Sequence, residues 1–350
     1  MTKTNPGNYF EDFRLGQKIR HATPRTLTAG DVAMYQALYG PRFAVQSDAE
    51  FARRLGYKTA PIDDLLVFHT VFGKTVPDIS LNAVANLGYA AGRFLAPVYP
   101  GETLHSVSEV IGLKENSNGK TGVVYVRSTG YKADGTEVLD YVRWVMVRKG
   151  NPDAATPETV VPDLPEAVMP DALGSAVPMF DPARYDAALA GAPHRYDDFT
   201  IGEAIDHIDG MTVEEAEHQM ATRLYQNTAK VHFNQYTEGK GRFGRRLIYG
   251  GHVISLARAL SFNGLANAFH VAGINGGRHV APLFAGGTVH AWSKVLDKAT
   301  ITGRDDIGLL RLQMVATNDL PCTAHPHKDA EGNYTDGVIL DLDIWVAVPR

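Results

Sequence analysis

The 350-residue sequence is poor in cysteine and has no long apolar run. Cys322 is its single cysteine, which excludes an intrachain disulfide and any metal site built on several thiolates. No segment approaches the roughly 20 apolar residues that span a bilayer, so we expect no membrane partner. The polar start of the sequence lacks the apolar stretch of a signal peptide, and we therefore expect a cytoplasmic protein.

The sequence also lacks any run of lysine or arginine, and its net charge is -5. Nucleic-acid binders usually carry a basic patch that follows the phosphates, so we expect no nucleic-acid partner. Hydrophobic residues make up 44% of the chain and charged residues 21%, which is ordinary for a globular protein. At roughly 100–200 residues per domain, the length favours two domains.

An internal repeat organises the chain. Phe13 and Gly16 have counterparts in Phe199 and Gly202, each 186 positions later in the sequence. Two further segments recur in the same order: 93–103 as 278–288, and 134–144 as 336–345. The last pair is spaced more widely, so the second copy must carry an extra loop before its final strand. Three matches in one order indicate a duplication.

A proline-rich segment separates the two copies. Residues 151–193 contain eight of the 19 prolines in the chain. Because proline fixes φ and removes a backbone donor, we expect a connector with little regular structure that crosses the outside of the molecule. The predicted organisation is an N-terminal domain over 1–150, the connector, and a C-terminal domain over 194–350.

Each copy has the same predicted elements. Residues 28–31 and 212–215 resemble helix start signals, and the apolar stretches 65–72 and 252–260 predict buried helices. Alternating apolar residues follow in each copy, and Ala133-Asp134-Gly135 predicts a hairpin turn between two strands. The pattern predicts an α+β fold with two antiparallel sheets, each wrapped around a central helix.

The motif Ala-Pro-(apolar)-x-x-Gly-x-Thr occurs at 96–103 and again at 281–288. It resembles the MaoC-type hydratases of the hot-dog superfamily, and the resemblance covers nearly all of both copies. The run Gln226–Asn234 is similar to that of the mesaconyl-CoA hydratases, which are fused double hot dogs of about this size. The resemblance implies reversible hydration of an enoyl-CoA thioester, mesaconyl-CoA to β-methylmalyl-CoA. It implies an acyl-CoA substrate and no metal or other cofactor.

The MaoC-type hydratases have a catalytic histidine and a catalytic aspartate, and this sequence does not have both. Aligned to the family's motif, the histidine is His232 in the second copy and Gln46 in the first. The aspartate is replaced by Asn227 in the second copy and by Pro41 in the first. The resemblance therefore implies that the second domain is catalytic and that the first has a degenerate motif.

Hydration of an enoyl thioester requires an oxyanion donor and a group that moves a proton. Gly250 and Gly251 open the second central helix, and we expect the Gly251 amide to bind the thioester oxygen. His232 is the predicted base or proton shuttle, because imidazole titrates near neutrality. Asn227 either holds the water or caps its loop. A carboxylate from the start of the first central helix, Asp63 or Asp64, is a candidate replacement for the missing aspartate, although helix capping is the commoner role there.

A dicarboxylic substrate also needs a cation for its free carboxylate. The candidates near the two motif loops are Arg42, Arg223 and Lys230, and the sequence does not choose between them. Each is individually more typical of a solvated surface charge.

Two other functions remain open at this stage. Hot-dog folds also serve thioesterases, so hydrolysis of an acyl-CoA is an alternative. A non-catalytic acyl-CoA binding protein is another, since both copies lack the aspartate. A fused pair already contains the interface of a hot-dog dimer, and the resemblance implies further assembly into a homo-oligomer.

Overall fold

The computed structural model describes residues 3–350, and its architecture is α+β, as predicted. The strands are β1 (Lys18–Arg20), β2 (Arg25–Thr26), β3 (Ala83–Phe94), β4 (Thr103–Glu115), β5 (Thr121–Lys132), β6 (Glu137–Arg148), β7 (Ala204–Thr212), β8 (His270–His279), β9 (Thr288–Thr300), β10 (Ile307–Asn318) and β11 (Val338–Pro349). The helices are α1 (Ala29–Tyr39), α2 (Ala44–Ser47), α3 (Ala49–Arg54), α4 (Asp64–Thr75), α5 (Ala187–Ala190), α6 (Glu215–Leu224), α7 (Lys230–Phe233), α8 (Gln235–Glu238), α9 (Gly250–Leu260) and α10 (Phe262–Leu265). Among residues 3–350, no helix combines the length and apolarity needed to cross a membrane.

The sheets of the two halves are joined into one. All paired strands are antiparallel, and the order is β1-β4-β5-β6-β3-β8-β11-β10-β9-β7, with β2 paired to β4. β3 of the first half pairs with β8 of the second, so the backbone hydrogen bonds continue from one half into the other. The two predicted sheets are therefore the halves of one continuous 11-stranded sheet.

The two predicted buried helices are present and lie against the sheet. α4 covers the predicted stretch 65–72, and every residue from Leu65 to Thr75 is buried. α9 covers 252–260, and its residues from Gly251 to Leu260 are buried as well. Because both helices are apolar nearly all round, they can be enclosed by the sheet on one side and by each other on the other. Each is the central helix of its half.

Equivalent residues of the two halves meet on a pseudo-twofold axis. His69 and Ser255, 186 positions apart, occupy corresponding places on the two central helices, and His69 Nε2 lies 2.9 Å from Ser255 Oγ. Tyr39 and Tyr225 are also equivalent, and the Tyr225 hydroxyl donates to the Tyr39 hydroxyl at 2.8 Å. Such contacts between equivalent residues are the mark of a twofold interface. The chain therefore contains the equivalent of a hot-dog dimer.

The two predicted helix starts and the predicted hairpin turn were confirmed in part. Thr28 is the N-cap of α1 and forms a capping box with Asp31, as the sequence predicted. In the second half the helix instead begins after Glu214, which makes no side-chain cap, and Thr212 ends β7. The predicted hairpin turn at residues 133–135 joins β5 to β6.

The proline-rich connector has few regular elements but is not a free linker. Between the end of β6 and residue 196 it forms α5, two three-residue 3-10 turns and an isolated antiparallel bridge from Val160 to Leu113. Its apolar residues Val168, Leu173 and Tyr185 are buried in a second core with Phe269 and Trp345. The connector therefore packs against the face of the sheet opposite the central helices. The domain boundaries at 150 and 194 stay a prediction.

Candidate active site

The loop that leads into α7 begins with a sharp turn. Gln226 has a φ of +53°, and the Asn227 amide donates back to Thr222 O at 2.9 Å. The buried Asn227 side chain accepts from the Ala229 amide through Oδ1 at 3.1 Å. This bond closes a local turn, a frequent use of asparagine. The observed contact of Asn227 is thus the loop-capping one.

His232 lies on α7, and one nitrogen of its ring is free. Nδ1 lies 2.9 Å from Leu247 O, and since a carbonyl only accepts, Nδ1 carries the proton. Nε2 therefore has an unshared electron pair and no partner among residues 3–350. Burial lowers the pKa of His232 to about 4, so the ring is neutral at pH 7. A neutral imidazole with a free nitrogen is ready to accept a proton.

Two glycines form the start of α9, and both are required by close neighbours. A Cβ on Gly250 would lie 2.5 Å from Nδ1 of His279, and a Cβ on Gly251 would lie 2.5 Å from Cε1 of His69. The preceding Tyr249 is the N-cap, and its amide donates to His218 Nε2 at 2.8 Å. The Gly251 amide lies in the first turn, where no acceptor exists within the helix. It is available to a ligand.

The first half shows what the equivalent amide binds. Leu65 corresponds to Gly251, and its amide donates to Oδ1 of Asp63 at 2.9 Å. A carboxylate oxygen thus occupies the place that the Gly251 amide leaves open. An anionic oxygen at a helix N-terminus is favoured by both the free amide and the helix dipole.

Asp63 and Asp64 belong to the other end of the molecule. Asp64 binds His270 Nδ1 and the Val271 amide, each at 2.9 Å. Burial raises the pKa of Asp63 to about 6, and the charge of Arg258 opposes that rise. Arg258 lies seven residues after Gly251 on α9, about 10 Å at 1.5 Å per residue. The structure therefore does not bring Asp64 to His232.

The three cations proposed from the sequence are also placed apart from Gly251. Arg42 lies over the ring of Phe262, 4.4 Å from its centroid, in the first half's corresponding site. Arg223 is exposed and donates to Gln219 Oε1 at 3.2 Å. Lys230 is exposed at the first position of α7. Of the three, only Lys230 shares an element with His232.

Two buried cations that the sequence analysis missed lie at the end of α4. Lys74 donates to Gln226 Oε1 in the turn before Asn227. Arg143 is fully buried and donates to Thr75 Oγ1 at 2.8 Å, while its Nε and Nη1 have no partner. Neither cation forms an ion pair with a carboxylate among residues 3–350. The inward-facing position of Arg143 on an alternating strand was the available signal.

Four further histidines surround the start of α9: His69, His218, His252 and His279. Burial lowers the pKa of each, to about 3 for His69 and His252, about 2 for His218 and about 4 for His279. No carboxylate bonds to any of them among the described residues. Although histidines cluster here, no three metal-binding side chains in the described part of the chain are arranged to hold an ion. The arrangement can bind an oxyanion and move a proton.

Comparison with known proteins confirms the family that the sequence resembles. The model of the mesaconyl-CoA hydratase family matches residues 1–323. The chain is 63% identical over 349 residues to a β-methylmalyl-CoA dehydratase of Chloroflexus aurantiacus, covering 99% of both chains. It is 55% identical over 354 residues to a mesaconyl-CoA hydratase of Cereibacter sphaeroides, covering 99% of this chain and 100% of that one.

Solved structures agree on the fold. A MaoC domain protein dehydratase from Chloroflexus aurantiacus superposes with a TM-score of 0.98 at 62% identity, over 100% of this chain and 99% of that one. A Mycobacterium tuberculosis protein described as a double hotdog fold gives a TM-score of 0.76 at 26% identity, over 99% of both chains. The double hot-dog prediction is thereby confirmed, and the chain belongs to the mesaconyl-CoA hydratase family.

Proposed function

We propose that this chain is a hydro-lyase that catalyses the reversible hydration of mesaconyl-CoA to β-methylmalyl-CoA. The proposal rests on full-length similarity to two relatives named for the two directions of this reaction. The structural observation that carries it is the free Nε2 of His232 near a glycine-led helix whose first-turn amide is open. The expected cytoplasmic location and homo-oligomeric assembly belong to the same proposal.

The oxyanion is the first requirement of the reaction. When water adds to the β-carbon, the electron pair of the double bond moves through the α-carbon onto the thioester oxygen. The Gly251 amide would donate to that oxygen, and the positive end of the α9 dipole would stabilise its charge. A side chain at Gly251 would overlap His69, so this position requires glycine. The bare backbone in turn lets the thioester approach closely.

His232 would carry the proton through the reaction. Its Nε2 removes one proton from the attacking water while the hydroxyl joins the β-carbon. The imidazolium then returns that proton to the α-carbon of the enolate. One water is added in total, and His232 ends neutral. The bond from Nδ1 to Leu247 O holds the ring in the tautomer that this cycle needs.

The free carboxylate of mesaconyl-CoA sits on the β-carbon, so its cation must lie near the site of water addition. Lys74 and Arg143 are the buried cations without a carboxylate partner near the catalytic loop. Tyr89 connects Arg143 to the site, because it pairs with Arg143 across the sheet and its hydroxyl contacts His279 at 3.1 Å. A buried cation without an anion is costly, and a bound carboxylate would offset that cost.

The phosphates of CoA also need positive charge. The segment between α8 and α9 exposes three cations: Lys240, Arg242 and Arg245. Each lies over an aromatic ring, with Lys240 Nζ 3.8 Å from the centroid of Tyr236. This segment follows the loop of His232, so we propose that it binds the nucleotide part of the substrate.

The test is a hydration assay with purified protein and mesaconyl-CoA. Loss of the conjugated double bond is followed by absorbance, the product is identified by mass, and free thiol is measured in the same sample. We expect β-methylmalyl-CoA without release of CoA. Thiol release without hydration would establish the thioesterase alternative, and no reaction in either assay would leave only acyl-CoA binding.

A further inference from the structure

Neither Asn227 nor the acids considered from the sequence are free to hold the attacking water. Asn227 replaces the family's aspartate, and its Oδ1 is already used by the Ala229 amide. The two acids considered are bonded at the start of α4: Asp63 accepts from the Leu65 amide, and Asp64 binds His270 and the Val271 amide. A water between a base and a β-carbon needs a second acceptor to fix its orientation. The replacement must therefore be a side chain other than these.

His279 lies beside the start of α9, where the thioester is proposed to bind. It is the last residue of β8, it is partly exposed, and its ring lies against the first residue of α9. An ideal Cβ on Gly250 would be 2.5 Å from Nδ1 and 2.6 Å from Nε2 of this ring. Gly250 precedes the proposed oxyanion donor by one residue. The glycine thus makes room for an imidazole beside the thioester.

One nitrogen of His279 is held and the other is free. Nε2 lies 3.1 Å from the hydroxyl of Tyr89, which comes from β3 of the first half. Nδ1 has no partner among residues 3–350. When Nε2–H donates to the Tyr89 oxygen, Nδ1 presents a lone pair. The tautomer of His232 is fixed, because the Leu247 carbonyl only accepts, so the proton is on Nδ1 and Nε2 is free; a tyrosine hydroxyl can donate or accept, so the contact of His279 allows either tautomer.

The first half provides an internal comparison. The repeat aligns Arg93 with Arg278, so Phe94 corresponds to His279. Phe94 is buried and packs against His270 in the half where Gln46 replaces the catalytic histidine. The two imidazoles are therefore present together in one half and absent together from the other.

We propose that His279 is a catalytic residue that holds the attacking water through Nδ1, and that Tyr89 positions its ring. The inference rests on the proposed hydration reaction. One water hydrogen is donated to His279 Nδ1 and stays on oxygen, while the other passes to His232 Nε2 and then to the α-carbon. His279 is not protonated in the cycle. Burial lowers the pKa of His279 to about 4, so its ring is neutral at pH 7, and the proposed role uses the tautomer with the proton on Nε2.

Two reactions separate this role from that of His232. Hydration of mesaconyl-CoA needs the held water, whereas exchange of the α-hydrogen of methylsuccinyl-CoA in D₂O needs the base and the oxyanion donor but no water at the β-carbon. We expect His279→Phe, which installs the first half's residue, to lower kcat for hydration by about 10²-fold. We expect its α-hydrogen exchange rate to stay within about 3-fold of that of the unmodified protein, a small change on the scale of such contributions. His232→Ala should lose both reactions.

Two further variants keep the test informative if His279→Phe does not fold. His279→Gln retains an acceptor oxygen and should keep more hydration activity than the phenylalanine variant, and Tyr89→Phe should lower hydration and spare exchange. Equal loss of exchange and hydration in the His279 variants, or unchanged hydration, would overturn the assignment. If the unmodified protein exchanges the α-hydrogen but does not hydrate mesaconyl-CoA, the proposed function fails instead.

Discussion

The two central helices begin at equivalent positions with opposite chemistry. α4 begins with Asp63 and Asp64, whose carboxylates bind the Leu65 amide, the Val271 amide and His270 within the protein. α9 begins with Gly250 and Gly251, whose amides lie in a first turn without side-chain caps. In the first half a carboxylate occupies the helix start, while in the second half no side chain caps the equivalent amides.

The two halves of the duplicated fold contribute different parts of the candidate site. The first half also contributes side chains to the candidate site, because His69 lies beside Gly251 and Tyr89 contacts His279. It also provides the buried cations at the end of α4. Side chains of the first half therefore line the candidate site of the second half and contribute to its electrostatic environment. The predictions below test that division, beginning with the largest effect.

Acid should unfold the chain through the second half. Six histidines have pKa values lowered by burial, and all but His69 lie in the second half. The unfolded chain binds these protons below pH 6.5 and the folded chain does not, so stability falls as pH drops from 6.5 towards the folded values of about 2 to 4. At about 1.4 kcal/mol per pH unit for each group, we expect unfolding near pH 5. Asp63, with its raised pKa, opposes this trend as a single group.

Chemical unfolding measured between pH 4.5 and 7.5 checks this expectation. His207→Gln removes one buried titrating ring of the second half and should reduce the pH slope by about 1.4 kcal/mol per unit. The same change at exposed His194 is the control and should leave the slope unaltered. A stability that is flat down to pH 4.5 would contradict the account.

His232→Ala should lower kcat for mesaconyl-CoA by about 10³-fold, because it removes the group that moves the proton. Gln46→Ala changes the equivalent position of the first half and should retain kcat within about 3-fold, since a residue without a proton-transfer role lacks such a contribution. Steady-state kinetics measure kcat for both variants, and circular dichroism checks that both are folded. Comparable losses in the two would show that the halves share the chemistry.

Arg143→Met should change substrate preference. We expect kcat/KM for mesaconyl-CoA to fall by about 10- to 100-fold, the value of a charge-assisted hydrogen bond. Tigloyl-CoA, in which a methyl group replaces the free carboxylate, should be affected far less. Lys74→Met tests the neighbouring cation in the same way.

Arg258→Met is the matched control for these cations. Arg258 is the buried arginine whose charge acts on Asp63 in the first half. We expect the variant to lose stability while the ratio of the two substrates stays constant. An equal loss for mesaconyl-CoA and tigloyl-CoA in Arg143→Met would remove the carboxylate role.

The smallest expected effect concerns the exposed cations before α9. Replacing Lys240, Arg242 and Arg245 by Gln should raise KM for the CoA thioester by about 3- to 10-fold at low salt. High salt should abolish the difference, since these charges are exposed. Replacing Arg53 and Arg54 on α3, exposed cations in the matching segment of the first half, should leave KM unchanged.

The fold was predictable where the signal is local or repeated. Apolar stretches predicted α4 and α9 to within a few residues, and Ala133-Asp134-Gly135 predicted the β5–β6 turn. The join between β3 and β8 was not predicted, because nothing in either strand alone identifies its partner. Strand pairing between distant segments leaves no short-range pattern in the sequence.

The same limit applies to the site. The candidates His232 and Gly251 could be named from a motif within one copy, and their roles stay a prediction. Arg143, Tyr89 and His279 come together only through the pairing of β6, β3 and β8. Asp64 failed to reach the site because the antiparallel central helices place the start of α4 beside the end of α9. Residues far apart in the sequence come close together only when the two copies pack against each other.

Because the Leu65 amide is already bonded to Asp63, we expect each chain to bind a single substrate molecule. Two identical hot dogs in a dimer offer two equivalent helix starts, but here one of the pair already carries its own oxygen ligand. A saturated substrate analogue should therefore titrate to one equivalent for each 350-residue polypeptide. The expected binding capacity per unit mass is half that of a symmetric dimer with both helix starts open.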